Sequence, residues 1–322
     1  MSEDSEAEAA DRSRRISRRS LLLGAGGVGL AAAGFVAGAA TGVIKLDPAW
    51  RQTMSAIGDL PTPSTSDPAS GNPASGNPVV PVGLVTTTVA KVYSPTSGGN
   101  LNMVAFLPGH IAPAKLPVVL LLPGIAGDPR RSAPGLSEAL ATQSGTGGRP
   151  FAVVALQSAE DCWHQERLGS DPMDVLINEL PAWLSAHELG GGAPVAVAGV
   201  GMGGFDALLY ARRRNERDSP VHAVAAIAPG LATSWSEISG RHAFLDAAQW
   251  ESLDPLRHVS ELGHPAIGVW CGDRDTYRAG IEEFVKLAHP QLVETGRPGQ
   301  HGTTLAGVLR FLGRNLPAAI RG

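Results

Sequence analysis

The stretch Val195-Ala-Val-Ala-Gly-Val-Gly-Met-Gly-Gly-Phe-Asp-Ala-Leu-Leu-Tyr210 constrains this chain more than any other. A short apolar run, a glycine-dense turn and a second apolar run at helical spacing read as a buried strand that turns sharply into a helix. A strand of this kind belongs to a parallel sheet with helices on its faces. In one common use of such a sheet, the tip of the strand-to-helix turn presents a nucleophile, framed by a glycine two residues to either side. Here the frame is Gly199-Val200-Gly201-Met202-Gly203, and the tip is glycine. No Ser, Thr or Cys occurs from 195 to 210, so no shift of frame supplies a hydroxyl or thiol.

The rest of the chain supplies the other parts of that sheet. Val82 to Tyr93 and Leu101 to Leu107 flank a Pro-Thr-Ser-Gly-Gly-Asn turn and read as an antiparallel hairpin at a sheet edge. Leu116 to Leu122 and Phe151 to Gln157 are nearly unbroken apolar runs, as strands buried on both faces require. Val221 to Ile227, Ala266 to Trp270 and a short Leu292 to Glu294 complete the strands. Helices are expected over Ser132 to Ala141, Pro172 to His187, from the turn to about Arg213, Gly280 to Ala288, and Thr303 to Leu316. Leu176, Leu180, Trp183 and Leu184 share one face of the second of these, and 231–263 reads as irregular or short-helical. The class is α/β: one domain over about 79–322, with a mostly parallel sheet covered on both faces.

The first 78 residues have a different character. Within 1–44 an acidic tip precedes Ser17-Arg18-Arg19-Ser20-Leu21-Leu22, and a run rich in Gly, Ala and Leu extends to about Ile44. Paired arginines before a modest apolar segment resemble a twin-arginine export signal, whose partner is the twin-arginine export machinery; Arg14-Arg15 is a second register. Ala37-Gly38-Ala39 offers a small-x-small cleavage site, while Leu21 to Ile44 also has the length of a retained membrane anchor. Either way the domain is expected outside the cytoplasm, secreted, cell-wall-associated or anchored. In 45–78 a short helix over Pro48 to Ile57 precedes two copies of Ala-Ser-Gly-Asn-Pro, at 69–73 and 74–78. Small polar residues with proline build no core, so this is a spacer.

Net charge of -4 over 322 residues gives no support to nucleic-acid binding. The two cysteines, Cys162 and Cys271, suit an exported protein. They follow strands that lie far apart in the expected sheet, which argues for two separate thiols; a disulfide would need a long excursion of the 159–171 loop.

Further pieces sit at strand ends in the order that acyl transfer uses. A nucleophile needs a histidine base, the histidine needs an orienting acid, and backbone N–H groups stabilise the oxyanion. Gly272-Asp273-Arg274-Asp275 follows a strand, with Asp275 placed to orient a histidine. Gly299-Gln300-His301-Gly302 precedes the last helix, which sets His301 at the C-terminal edge of the sheet. The N–H groups of Ile125 and Met202 are candidate oxyanion donors, and Gly124, Asp128, Trp163 and His164 are candidate pocket residues. Each piece has a plain alternative: a polar turn starting a helix, a surface histidine, a turn after a buried strand, a loop. Asp206 lies about a turn into the helix, where it is expected to face away from the pocket. No cofactor is expected. No compact His/Cys spacing marks a metal site, although Asp161, His164, Asp273 and Asp275 could converge on one rim.

On these residues the chain resembles the esterase D-like branch of the α/β-hydrolases over about 80–320. Within it the chain is similar to the antigen 85 mycolyltransferases and a non-catalytic relative of theirs. Gly199-Val-Gly-Met-Gly-Gly204 resembles their Gly-x-Ser-Met-Gly-Gly elbow. Asn178-Glu-Leu-Pro-Ala-Trp-Leu184 is similar to the stretch before the elbow strand, and Trp250-Glu-Ser-Leu-Asp254-Pro255 to a Trp-x-x-x-Asp-Pro segment after the sixth strand. Cys271 to Asp275 and Gly299 to His301 match where the family keeps its acid and histidine.

The resemblance implies an α/β-hydrolase fold in which Asp275 and His301 are the remnant of a triad. It also implies a pocket for a lipid, glycolipid or carbohydrate of the cell envelope. The chain departs from the family at Gly201, the place of the acyl-carrying serine. Glycine forms no acyl-enzyme, and loss of a nucleophile costs on the order of 10⁶ in turnover. The expectation is an exported, catalytically silent binding protein. The alternatives are an esterase or acyltransferase with an atypical nucleophile or direct water attack, and a structural or protein-interaction role.

Overall fold

The structure, a computed structural model, describes residues 84–109, 111–124, 135–146, 148–157, 162–165, 171–296 and 304–317. The export segment and spacer over 1–78 lie outside these residues, as do Ile125, Asp128, Asp161 and His301. Among the described residues no helix is long and apolar enough to cross a membrane.

The described strands are β1 (Val85–Ser94), β2 (Gly99–Pro108), β3 (Val118–Leu122), β4 (Ala152–Gln157), β5 (Ala196–Val200), β6 (Ala223–Ile227), β7 (Ala266–Gly272) and β8 (Leu292–Gly296). They form one sheet in the order β1-β2-β4-β3-β5-β6-β7-β8. The tight turn after β1, with Gly98 at φ 65°, makes β1 and β2 an antiparallel hairpin, and β2 runs antiparallel to β4. Every later pair is parallel, because longer crossovers carry the chain back to the same end of the sheet. This is the expected α/β-hydrolase arrangement. The longer helices among the described residues are α1 (Leu136–Gly145), α2 (Leu180–Ala186), α3 (Met202–Asn215), α4 (Ala247–Leu253), α5 (Arg278–Ala288) and α6 (Thr304–Asn315).

Side chains alternate across a strand, so each central strand feeds two cores. Val118, Leu120 and Leu122 of β3, with Val197 of β5 and Val224 of β6, join the core under α2, α3, α4 and α5. Val119, Leu121, Ala198, Val200 and Ile227 join the core under α1 and α6. Burial on both faces is why the central strands read as unbroken apolar runs. α3 is enclosed almost completely: every residue from Met202 to Ala211 is buried. Its buried Arg214 is satisfied by Pro194 O at 2.9 Å, the Tyr210 hydroxyl at 2.8 Å and Ser219 Oγ at 2.8 Å.

The helix expected over Pro172 to His187 forms, but with an interruption. Pro172–Asp174 is α-helical, Val175–Glu179 is a π turn, and α2 follows. Pro181 accounts for the break, since it has no N–H to return to Ile177 and its ring clashes with that carbonyl. A π turn accommodates the misfit. Leu176, Leu180 and Leu184 remain fully buried, while Trp183 is partly exposed. The turn also carries Glu179 to the β1–β2 hairpin, where its Oε1 accepts from the Thr96 N–H at 2.9 Å. Burial opposes ionisation of Glu179, but hydrogen bonds from Thr96 and Ser94 outweigh it and hold the carboxyl below the usual range.

Candidate active site

The elbow forms at the C-terminal end of β5. Gly201 sits between strand and helix at φ 61°, ψ −124°, a backbone region that L side chains occupy only under strain. Its surroundings hold it there. The Gly201 N–H donates to Ile227 O at 2.9 Å, and its carbonyl accepts from the N–H groups of Gly204 at 2.9 Å, Gly230 at 3.0 Å and Phe205 at 3.3 Å.

The flanking glycines are needed for a different reason. A Cβ on Gly199 would stand 1.9 Å from Gly203 O, and one on Gly203 would stand 2.2 Å from Leu122 O and 2.7 Å from Pro123 O. The helix start is therefore pressed backbone to backbone onto the end of β3, beside Gly124. Met202 is the first residue of α3, with its side chain buried and packed across Gly230. No side chain caps the helix, so nothing from Gly201 competes for its leading N–H groups. The rim carries one more strained residue, Ala228 at φ 44°, whose N–H donates to Trp270 O at 2.6 Å.

Asp275 stands in the turn after β7, two strands from the elbow, which is about 10 Å across the sheet. Its Oδ1 accepts from the Tyr277 N–H at 2.9 Å, and its own N–H donates to Gly272 O at 3.3 Å. α5 begins just beyond, and a Cβ on Gly280 would stand 1.9 Å from Leu231 O, so the acid-bearing turn and the segment after β6 are in close contact. His301, Ile125 and Asp128 lie outside the described residues, so the site is built here from Gly201, Met202, Gly124 and Asp275.

Trp163 and His164 sit in the loop after β4. Both are buried, at 4% and 1% exposure. His164 Nδ1 lies 2.5 Å from Asp206 Oδ1, His164 Nε2 lies 2.7 Å from Ala243 O, and Asp206 Oδ2 accepts from the Trp163 N–H at 2.9 Å. Asp206, expected to face away from the pocket, is fully buried in this pair. Among the described residues the set of metal-ligand type is Cys162, His164 and Asp206, rather than one drawn from Asp273 and Asp275. A cleft of about 430 Å³ borders His164, lined also by Ile177, Leu209, Arg213 and Leu253. Leu209 lies about 10 Å beyond Met202 along the axis of α3, so this cleft is distinct from the elbow.

The Trp-x-x-x-Asp-Pro segment closes a structural knot. Asp254 ends α4 and is fully buried; its carboxylate accepts from Leu256 N–H at 3.0 Å and from Arg257, whose guanidinium lies 4.5 Å over the Trp250 ring. Burial pushes the Asp254 carboxyl up despite those bonds.

Cys162 and Cys271 are not joined by a disulfide, as their separate strands suggested. Burial, then the nearby Asp275 carboxylate, pushes the Cys271 thiol up to about 11. Two units above an ordinary thiol lowers the thiolate fraction about a hundred-fold, and the higher intrinsic nucleophilicity restores about ten-fold of that. Alkylation of Cys271 by iodoacetamide at pH 8 is expected to run about ten times slower than for an exposed thiol. The rate should climb steadily as pH approaches 11; a plateau near pH 9 would contradict the assignment.

With this geometry established, comparison with known proteins places the chain. The family model Esterase, described as "Putative esterase", matches residues 94–276, more than half of the chain. The chain belongs to this esterase family. Its fold is shared with a ferulic acid esterase (TM-score 0.60, 18% identity, 72% of this chain and 100% of that one). It is shared also with an S-formylglutathione hydrolase from Agrobacterium tumefaciens (TM-score 0.56, 18% identity, 72% and 96%). The S-formylglutathione hydrolase of Staphylococcus aureus is a third (TM-score 0.54, 15% identity, 71% and 99%). At these identities the likeness is one of fold. No curated protein matches the chain.

Proposed function

We propose that this esterase-family protein is an exported, non-catalytic binder of a cell-envelope lipid, glycolipid or carbohydrate, held in the cleft at the elbow. The observation that carries the reading is Gly201 at the tip of an otherwise complete elbow, in the conformation that would display a nucleophile. The side chains nearest to substituting for it are unsuited. Asp206 has both carboxylate oxygens engaged in the interior, Cys162 is buried, and the Cys271 thiol stays protonated at neutral pH. Export rests on Arg18-Arg19 and the apolar run after it, and the ligand class on the resemblance to proteins that handle envelope acyl groups.

Retention of Asp275 at its strand end favours a second reading, in which His301 directs water onto a bound ester without a covalent intermediate. Ester hydrolysis by the native protein over several acyl lengths separates the two. The binding reading expects no turnover above the buffer rate and no change on His301→Ala. Turnover in the native chain that disappears with His301→Ala would replace it with the second.

A further inference from the structure

Cys162, His164 and Asp206 invite reading as a metal site, since their ligand atoms lie within 4.8 Å of one another. The distances argue otherwise. An ion about 2.1 Å from a nitrogen and an oxygen in tetrahedral geometry keeps those atoms roughly 3.4 Å apart. His164 Nδ1 and Asp206 Oδ1 are 2.5 Å apart, which leaves room for a proton and not an ion. We infer that His164 and Asp206 form a proton-holding latch that fastens two rim loops to the helix starting at Gly201.

Nε2 faces the Ala243 carbonyl, which has no proton to donate, so Nε2 is a donor; in the latch Asp206 is the carboxylate, Nδ1 donates to it, and the ring is an imidazolium. The ring stacks on Phe244 at 4.5 Å and 15°, and Phe205 closes the box at 5.5 Å. The latch joins three places: His164 in the loop after β4, Asp206 in α3, and Ala243 in the segment after β6. β4 and β6 stand three strands apart, about 14 Å, with the elbow strand β5 between them. The pair therefore draws together loops from both sides of the elbow. Asp206 and His164 are positioning residues, acting through the helix and loops they hold.

The test uses the full chain and no ligand, so its failure is separate from failure of the binding reading. Metal analysis of the purified protein is expected to show no stoichiometric ion. NMR should show two ring N–H protons on His164, one strongly deshielded. His164→Phe keeps the stacked ring and removes both hydrogen bonds. Amide exchange at Trp163, Phe244 and Leu245 should then rise together, about ten-fold or more, while Ala196 to Val200 keep theirs. Where a single variant leaves an unpaired buried charge and fails to fold, His164→Phe with Asp206→Leu removes both charges and should show the same loosening. One ion per chain, a single ring N–H, or unchanged exchange at those amides in both variants would overturn the latch.

Discussion

Gly201→Ser is expected to give the protein an esterase activity that the native chain lacks. The backbone at 201 already holds φ 61°, ψ −124°, with its N–H tied to Ile227 and its carbonyl tied to three amides. A serine there adopts a conformation the surroundings impose, at a strain of about 1–3 kcal/mol. For a domain of this size that corresponds to a fall in Tm of roughly 2–10 °C. Its hydroxyl would stand beside the Met202 N–H, on the rim that carries Asp275. Hydrolysis of short and medium acyl esters by the chain from Val79 should rise on the order of 10²-fold or more over native, because nucleophile, donors and base act as a unit. Adding His301→Ala should cancel the gain. A serine variant that folds, as judged by its melting curve, and stays silent would mean that the donors or histidine are not in register, and the cleft would then be vestigial.

Gly199→Ala is expected to prevent stable folding. The added Cβ would stand 1.9 Å from Gly203 O, 2.3 Å from Gly203 C and 2.8 Å from Gly204 N. All three are backbone atoms, so no rotamer change relieves the clash. Relief requires lifting α3 off β5, and α3 is buried from Met202 to Ala211. A loss of more than about 4 kcal/mol follows, among the largest that single substitutions produce, or a fall in Tm of roughly 10 °C or more. Gly240→Ala is the control: nothing lies within 4 Å of its Cβ, and its expected effect is within about 0.5 kcal/mol. Thermal melts of both, followed by circular dichroism, decide the matter. Gly199→Ala melting within a few degrees of native would show that the helix start is far less confined than its contacts require.

Much of this was legible before any coordinates. Leu116 to Leu122 and Phe151 to Gln157 are apolar on both sides of the strand because both sides face a core, and that condition is written directly in residue order. The hairpin announced itself through its Gly98-Gly99 turn, and the elbow through glycines at 199, 201 and 203. Boundaries shifted by a few residues: β7 runs on to Gly272, and α1 starts at Leu136, with 132–134 of the expected helix outside the described residues. The π turn was missed, although Pro181 was the available signal.

Local chemistry thus determined the strands, the helices, their alternation and the absence of a hydroxyl at 201. These depend on neighbours a few residues away, and periodicity records them. Tertiary structure decided the partners. His164 and Asp206 are 42 positions apart and meet because β4, β5 and β6 lie in one sheet and bring their loops to one rim. Its place about a turn into the helix predicts only that Asp206 faces away from the pocket, not what it meets there. α3 is enclosed nearly all round, so the side turned from the sheet is interior too, and a carboxyl group there must find its hydrogen-bond partners in the interior.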